Sequence, residues 1–107
     1  MRIGFASAAS ARMFSEFALM AHAFGPEVAY KLANRLALLS AADNLALVPT
    51  TPPISCRPLD GEGSRFAVSV SPKHRLVFAA LGSGGAKTAV LAKITVIEVK
   101  GVEERWD

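Results

Sequence analysis

The stretch RFAVSVSPKHRLVF, residues 65–78, has the pattern of two strands joined by one turn. Apolar residues alternate along it. Phe66 and Val68 share one face of the first strand, and Leu76 and Phe78 share one face of the second. The Ser-Pro-Lys sequence between the two halves is typical of a turn. The stretch therefore predicts a β-hairpin with one apolar face and one basic face.

Two segments with helical periodicity precede this hairpin. Apolar residues recur at steps of three and four from about Ser10 to Phe24, and again from Pro26 to about Ser40. Gly25 suits the end of the first helix, and Pro26 suits the first turn of the second. We therefore predict a helical hairpin.

The second predicted helix has an apolar side and a basic side. Lys31 and Arg35 lie four residues apart on a side different from the apolar one. The residues expected to be buried are Val28, Leu32, Leu36 and Leu39.

Further strands are predicted on both sides of these helices. The prolines of VPTTPPI, residues 48–54, exclude a helix there. The strand candidates are Arg2–Phe5, Ser55–Leu59, Arg65–Val70, His74–Ala80 and Lys93–Val99. The predicted fold class is α+β: a small twisted antiparallel sheet of about five strands, in the order β-α-α-β-β-β-β, packed on an N-terminal helical hairpin.

Length and composition limit the possible classes of protein. The chain has 107 residues, of which 51% are hydrophobic and 20% charged, so we predict that residues 1–107 form a single globular domain. Cys56 is the only cysteine, which excludes an internal disulfide and fits a reducing, cytoplasmic setting. No apolar run approaches the ~18 residues of a membrane span, so we expect no membrane contact. The net charge of +3 permits nucleic-acid binding.

A local excess of positive charge is the clearest functional signal. Between Arg57 and Lys93 there are six cations and two acids. We expect Arg65 and Arg75 to lie opposite each other on the hairpin, where two neighbouring guanidinium groups would favour an anion between or above them. The alternative is a solvated basic face without a ligand. The acidic stretch from Glu98 to Asp107 could also fold over that face.

Two other patterns are weaker. GSGGAKT, residues 82–88, lacks the glycine directly before lysine that a Walker loop requires, so we predict a hairpin loop there. His22 and His74 are far apart in the chain and have no cysteine or paired carboxylate nearby, so no metal site is predicted. A side chain at the start of a strand can reach around the sheet edge, so His74 is a candidate for proton transfer.

Three segments, taken in their order along the chain, resemble a known family. Gly25–Glu27 opens FGPEVAYKLANRLALLSAADNLALVP, Arg57–Leu59 follows within PISCRPLDGEGSRFAVSVSPKHRLVF, and Arg75–Phe78 ends that stretch before ITVIEV. Together they are similar to the RelE/ParE toxin superfamily, and within it to the HigB-like plasmid maintenance killer branch. The resemblance covers nearly the whole chain and implies a RelE-like fold.

The resemblance also implies an activity and partners. It implies a bacterial toxin that inhibits translation, a ribosome-dependent endoribonuclease (mRNA interferase) that cuts messenger RNA and is neutralised by an antitoxin. That partner is often a HigA-like helix-turn-helix protein, bound in a hetero-oligomeric toxin–antitoxin complex. No cofactor or metal is implied.

The site residues follow from the same resemblance. Arg75 matches the family's strand arginine and Arg65 a position that is often basic, which implies that both hold the scissile phosphate. His74 and Glu104 are the candidates for moving a proton. The residues expected to bind RNA are Arg57, Lys73, Arg105 and Trp106. Trp106 would stack on a base, or else pack against the sheet edge.

Departures from the family pattern leave rival functions open. Many relatives have histidine and lysine where this chain has Arg57 and Asp60, and Asp-Tyr-His where it has residues 104–106. A ParE-like poison that binds DNA gyrase needs no acid–base residue. A non-catalytic module that receives the antitoxin needs none either.

Overall fold

The structure is a computed structural model that describes residues 1–59, 64–81 and 90–104. Within these residues it contains five strands and three α-helices. In chain order they are β1 (Arg2–Phe5), α1 (Ala8–Ser15), α2 (Phe17–Phe24), α3 (Pro26–Ala41), β2 (Arg57–Pro58), β3 (Arg65–Ser71), β4 (His74–Leu81) and β5 (Val96–Glu104). Short 3₁₀ helices at Leu45–Leu47 and Leu91–Lys93 complete the described elements. The predicted α+β class is confirmed.

The five strands form one sheet in the order β1-β5-β4-β3-β2. Neighbouring strands are antiparallel except at one edge, where β1 pairs in parallel with β5, with Ile3 opposite Ile97. The prediction of an antiparallel sheet is therefore wrong at that edge. Only the pairing of the first strand with the last decides this direction, and no local pattern in the sequence encodes it.

The first predicted helix is two helices. Glu16 leaves the helical conformation, with φ −121° and ψ 116°, and separates α1 from α2. The Ser15 hydroxyl donates to the Ala11 carbonyl at 2.6 Å, a bond that competes with the helical ladder at this point. The apolar periodicity continues across the break because both halves contribute to one core, through Phe14 and Met20.

The second predicted helix begins where the sequence indicated. Gly25, with φ 88°, ends α2, and Pro26 is the first residue of α3. A positive φ of this kind strains any residue that carries a Cβ atom. The two residues therefore fix the corner between α2 and α3.

The core lies between the helices and one face of the sheet. Its fully buried side chains include Leu32 and Leu39 of α3, Leu76 and Phe78 of β4, and Ile97 of β5. Phe66 and Phe78 stack across β3 and β4 with their ring centroids 6.1 Å apart. The apolar face of the predicted hairpin is thus the face that packs on the helices.

One stripe of α3 differs from the prediction. The helix buries Ala29, Leu32, Arg35 and Leu39, whereas Val28 and Leu36 are only half-buried. Arg35 follows Leu32 by three residues and precedes Leu39 by four, which places it on the buried stripe. The prediction assumed that a charged side chain would face water.

Strand bounds differ from their predictions, most at β2 and β5. β2 contains only Arg57–Pro58 within the predicted Ser55–Leu59, and β5 runs from Val96 to Glu104 instead of Lys93–Val99. β3 and β4 each extend one residue beyond their predicted ends. The first part of the acidic stretch therefore belongs to the sheet. No helix among the described residues is long and apolar enough to cross a bilayer.

Candidate functional site

Strand register places three arginines on the sheet face that is turned away from the helices. Arg57 pairs with Ala67, Arg65 pairs with Ala79 and Arg75 pairs with Ser69. Directly paired residues share a face, and so do residues two apart in a strand. The three arginines therefore lie on one face, which we call the arginine face. Alternate residues of the same strands, such as Phe66, belong to the core.

The arginines do not lie where the sequence analysis expected. Arg65 lies opposite Ala79, whereas Arg75 lies opposite Ser69. Because Ser69 is four residues from Arg65 along β3, the two arginines are offset by ~13 Å in the strand direction. Arg57 is diagonal to Arg65 across β2 and β3, a separation of ~7–8 Å. The expected pair of adjacent guanidinium groups is thus replaced by a spread set of three.

The floor between these arginines is small and apolar. Ala67, Val77 and Ala79 share the arginine face by register and are 2%, 1% and 6% exposed. These alanine and valine side chains are short compared with those of the arginines. The longer arginine side chains can therefore project above this floor.

One arginine on this face already has a carboxylate partner. Glu103 pairs with Arg75 across β4 and β5, and its Oε1 accepts from Arg75 Nη2 at 2.8 Å and from Arg75 Nε at 3.2 Å. The Arg75 side chain is 25% exposed and that of Glu103 is 47% exposed. The anion expected near Arg75 is therefore, in part, supplied by the protein itself.

The other two arginines have no carboxylate partner among the described residues. Within residues 1–59, 64–81 and 90–104, neither Arg57 nor Arg65 forms an ion pair or a side-chain hydrogen bond. Glu98 on the same face pairs with Lys100 at 2.5 Å. Among the described residues, the arginines of this face that have no carboxylate partner therefore lie on its β2–β3 side.

The two candidate proton carriers lie on the opposite side of the sheet. His74 pairs with Glu104 across β4 and β5, and both share the helix-facing side with Leu76. The His74 Nδ1 and the Ser71 hydroxyl are 2.7 Å apart. Lys73 is exposed in the turn beside them. The structure thus brings Arg57, Arg65 and Arg75 together and separates His74 and Glu104 from them.

Some predicted residues lie outside the described part of the chain. These are Arg105 and Trp106, the loop 82–88, and Asp60. Glu103, in contrast, is described and was missed by the sequence analysis. The signal for it was strand parity, since Glu103 and Glu104 must face opposite sides of any strand that contains both.

The single cysteine contributes no reactive group to this site. Cys56 is buried in the core, and burial raises the pKa of its thiol to about 11. A thiol with a raised pKa stays protonated at neutral pH and is a poor nucleophile. Among the described residues, no group of three or more His, Cys, Asp or Glu side chains is arranged to hold a metal ion.

Comparison with solved structures identifies the fold. The chain is similar to a YoeB/ParE toxin from Agrobacterium tumefaciens, with a TM-score of 0.58 over 99% of this chain and 100% of that one, at 14% sequence identity. No family model and no curated protein matches the sequence. The predicted RelE/ParE-like fold is therefore confirmed. The HigB-like branch remains a prediction.

Proposed function

We propose that the chain is the toxin of a toxin–antitoxin pair and that it cleaves messenger RNA on the ribosome through the arginine face. The observation that carries the proposal is that Arg57, Arg65 and Arg75 share one face of the sheet. The chain is similar in fold to a YoeB/ParE toxin over 99% of its length, which supports the toxin part of the proposal. Cations fixed on rigid strands are suited to hold a phosphate and the charge that develops on it.

The chemistry of cleavage assigns a role to each group on this face. The 2′-hydroxyl of the RNA attacks the adjacent phosphorus, the bond to the 5′-oxygen breaks, and the products are a 2′,3′-cyclic phosphate and a 5′-hydroxyl. Glu103 takes the 2′-proton, and water protonates the leaving oxygen. Arg65 and Arg75 stabilise the charge on the phosphoryl oxygens, and Arg57 holds the neighbouring backbone.

Glu103 replaces His74 and Glu104 as the proton acceptor in this proposal. It is the carboxylate that directly contacts an arginine of the arginine face. The roles of His74 and Glu104 in proton transfer stay predictions from the family resemblance. Lys73, Arg105 and Trp106 remain proposed RNA contacts.

The proposed partners follow from the charge of the same face. An antitoxin segment rich in Asp and Glu would cover Arg57 and Arg65 and thereby block access to RNA. A HigA-like helix-turn-helix protein in a hetero-oligomeric complex is the partner that we propose. The ribosome would supply the messenger RNA in the orientation that cleavage needs.

A second function has one observation in its favour. On the described part of the arginine face there is no histidine, because His74 lies on the other side of the sheet. A protein that only binds its target, such as a gyrase poison or an antitoxin-receiving module, needs charge but no proton acceptor. Such a protein would keep its activity after Glu103→Gln.

The experiment that tests the proposal compares two variants in a cell-free translation system with a reporter messenger RNA. Arg65→Ala should reduce the rate of cleavage by about 10²–10³-fold, because it removes one charge that stabilises the transition state. Lys93→Ala is the matched control, since Lys93 is an exposed cation outside the arginine face. Wild-type cleavage by Arg65→Ala would refute the role of the arginine face.

A further inference from the structure

A buried arginine lies on the side of the sheet remote from the arginine face. Arg35 belongs to the buried stripe of α3 and is 8% exposed. Among the described residues, no other polar or charged residue is buried. Burial in this position lowers the pKa of its guanidinium from the ordinary value. A buried cation is costly unless its charge is balanced.

The partners of Arg35 in the protein are neutral. Its Nε donates to the Ser69 carbonyl at 2.7 Å, and its Nη1 donates to the Asn34 side-chain oxygen at 2.7 Å. No carboxylate of the described residues forms an ion pair with it, and its Nη2 has no acceptor there. The guanidinium therefore keeps both unbalanced charge and unused donors.

An open cleft adjoins this guanidinium. It has a volume of about 410 Å³ and lies between α3, the segment with Pro52 and Pro53, and the turn that joins β3 to β4. Among the described residues, two cations line it, Arg35 and the exposed Lys31, and no carboxylate does. Because Lys31 and Arg35 are four residues apart on one helix, their side chains project to the same side of α3.

A second cleft continues the first. It has a volume of about 290 Å³, shares Lys31 with the first cleft, and is also lined by Lys73 and His74. Glu27 is its one acidic lining residue among the described chain, one helical turn from Lys31. The first cleft, beside Arg35, is therefore the more positive of the two.

We propose that the cleft beside Arg35 binds a tetrahedral oxyanion of the phosphate class, held by Arg35 and Lys31. Arg35 offers a directional donor from a fixed guanidinium, and Lys31 offers a mobile charge at the mouth of the cleft. The site lies on the helix side of the sheet. It is therefore separate from the arginine face, and the inference does not depend on the proposed cleavage of RNA.

A purely structural role for Arg35 makes a different prediction. The Ser69 carbonyl lies where the pairing of β3 with β4 shifts register, and Arg35 would then serve only to hold this irregularity against α3. In that case the cleft does not bind anions specifically, and added phosphate acts only through ionic strength. A titration of the protein with an anion distinguishes the two roles, whereas a measurement of the free energy of unfolding does not.

The test is a titration of the ¹⁵N-labelled protein with inorganic phosphate, followed by NMR at the Arg35 Nε and at the backbone amides of Ser69 and Val70. Ionic strength is held constant with chloride, so that screening is matched at every point. The expected result is a saturable shift with a dissociation constant near the millimolar range. Lys31→Met should weaken binding by about fivefold. The exposed control Lys93→Met should leave it unchanged.

A second variant and a second ligand extend the test. Arg35→Lys preserves the charge but removes the planar fork, and it should weaken binding more than Lys31→Met does. If Arg35→Lys fails to fold, Lys31→Met alone decides the matter, because Lys31 is exposed. A 5′-phosphorylated dinucleotide that binds more tightly than inorganic phosphate identifies a nucleotide as the source, and equal affinity identifies free phosphate. Absence of a saturable shift, or equal affinity in wild type and Lys31→Met, would overturn the proposal.

Discussion

Glu103 and Glu104 are neighbours in the chain but lie on opposite sides of the sheet. Glu103 contacts Arg75 on the arginine face, whereas Glu104 lies opposite His74 on the helix-facing side. A shift of register by one residue would exchange the two carboxylates. The chemistry available to the arginine face therefore depends on strand pairing as much as on residue type.

Glu103→Gln is the residue-scale test of this assignment. The amide has the same shape and can still accept a hydrogen bond from Arg75, but it cannot take a proton at neutral pH. We expect cleavage to slow by about 10²–10⁴-fold with little change in RNA binding. Single-turnover cleavage together with RNA affinity measures both effects. Glu104→Gln is the matched control, and an equal loss in both variants would contradict the assignment.

Cys56 allows a prediction about pH. Burial raises the pKa of its thiol from 9.0 to about 11, so the folded protein holds this proton more tightly than the unfolded chain does. Its contribution to stability is therefore complete below pH 9 and is lost as the pH rises through 11. Urea unfolding of wild type and Cys56→Ala from pH 8 to pH 11 tests this. The difference between the two free energies of unfolding should change over that window, and a constant difference would be inconsistent with the raised pKa.

At the scale of elements, the corner between α2 and α3 depends on Gly25. Its φ of 88° and ψ of 155° lie in a region that is essentially restricted to glycine. Gly25→Ala should lower the free energy of unfolding by about 1–3 kcal/mol through backbone strain. Apart from the residues next to it in the chain, no described residue has an atom within 4 Å of the new methyl group, so a steric clash is not the cause.

Gly4→Ala is the matched control for that substitution. Among the described residues other than its chain neighbours, the new methyl group at Gly4 would meet the Ile97 carbonyl oxygen alone, at an ordinary 3.8 Å, and the backbone there is that of a strand. We expect a change within about 0.5 kcal/mol. Chemical denaturation compares the two variants directly. Equal losses would mean that strain at Gly25 is not what fixes the corner.

Elements with strong local signals were predictable from the sequence, and those that depend on distant partners were not. The hairpin at residues 65–78 and the Gly25–Pro26 junction carry their own patterns, and both were predicted. The break at Glu16 was missed because the apolar period continues through it. The parallel pairing of β1 with β5, and the offset of Arg65 from Arg75, depend on register across strands that are far apart in the chain.

The burial of Arg35 shows a different limit. Its spacing from Leu32 and Leu39 matches the buried stripe, but a charged arginine is expected to lie on the surface. The hydrogen bond to the Ser69 carbonyl stabilises the buried position, and its acceptor comes from β3, 34 residues later in the chain. A helical pattern alone cannot indicate such a partner.

At the scale of the whole molecule, the arginine face should dominate the affinity for single-stranded RNA. Each phosphate contact contributes about −0.7 to the slope of log affinity against log salt concentration. Replacing both Arg57 and Arg65 by Gln should therefore reduce the slope by about 1.4. A fluorescent 2′-O-methyl RNA, which cannot be cleaved at the 2′ position, provides the measurement.

Lys93→Gln is the control for this salt dependence, because its side chain is exposed outside the arginine face. It should leave the slope close to that of the wild type. If the double variant keeps the wild-type slope, RNA is bound by another surface of the molecule.

Primer extension directly measures the proposed cleavage of messenger RNA on the ribosome. A reporter messenger RNA is incubated with the purified protein in a cell-free translation system, with a parallel reaction that lacks ribosomes. We expect new 5′ ends within the coding region that require ribosomes and that are lost with Arg65→Ala but retained with Lys93→Ala. Intact messenger RNA in the presence of ribosomes and the folded wild-type protein would contradict the account and favour a target that is only bound.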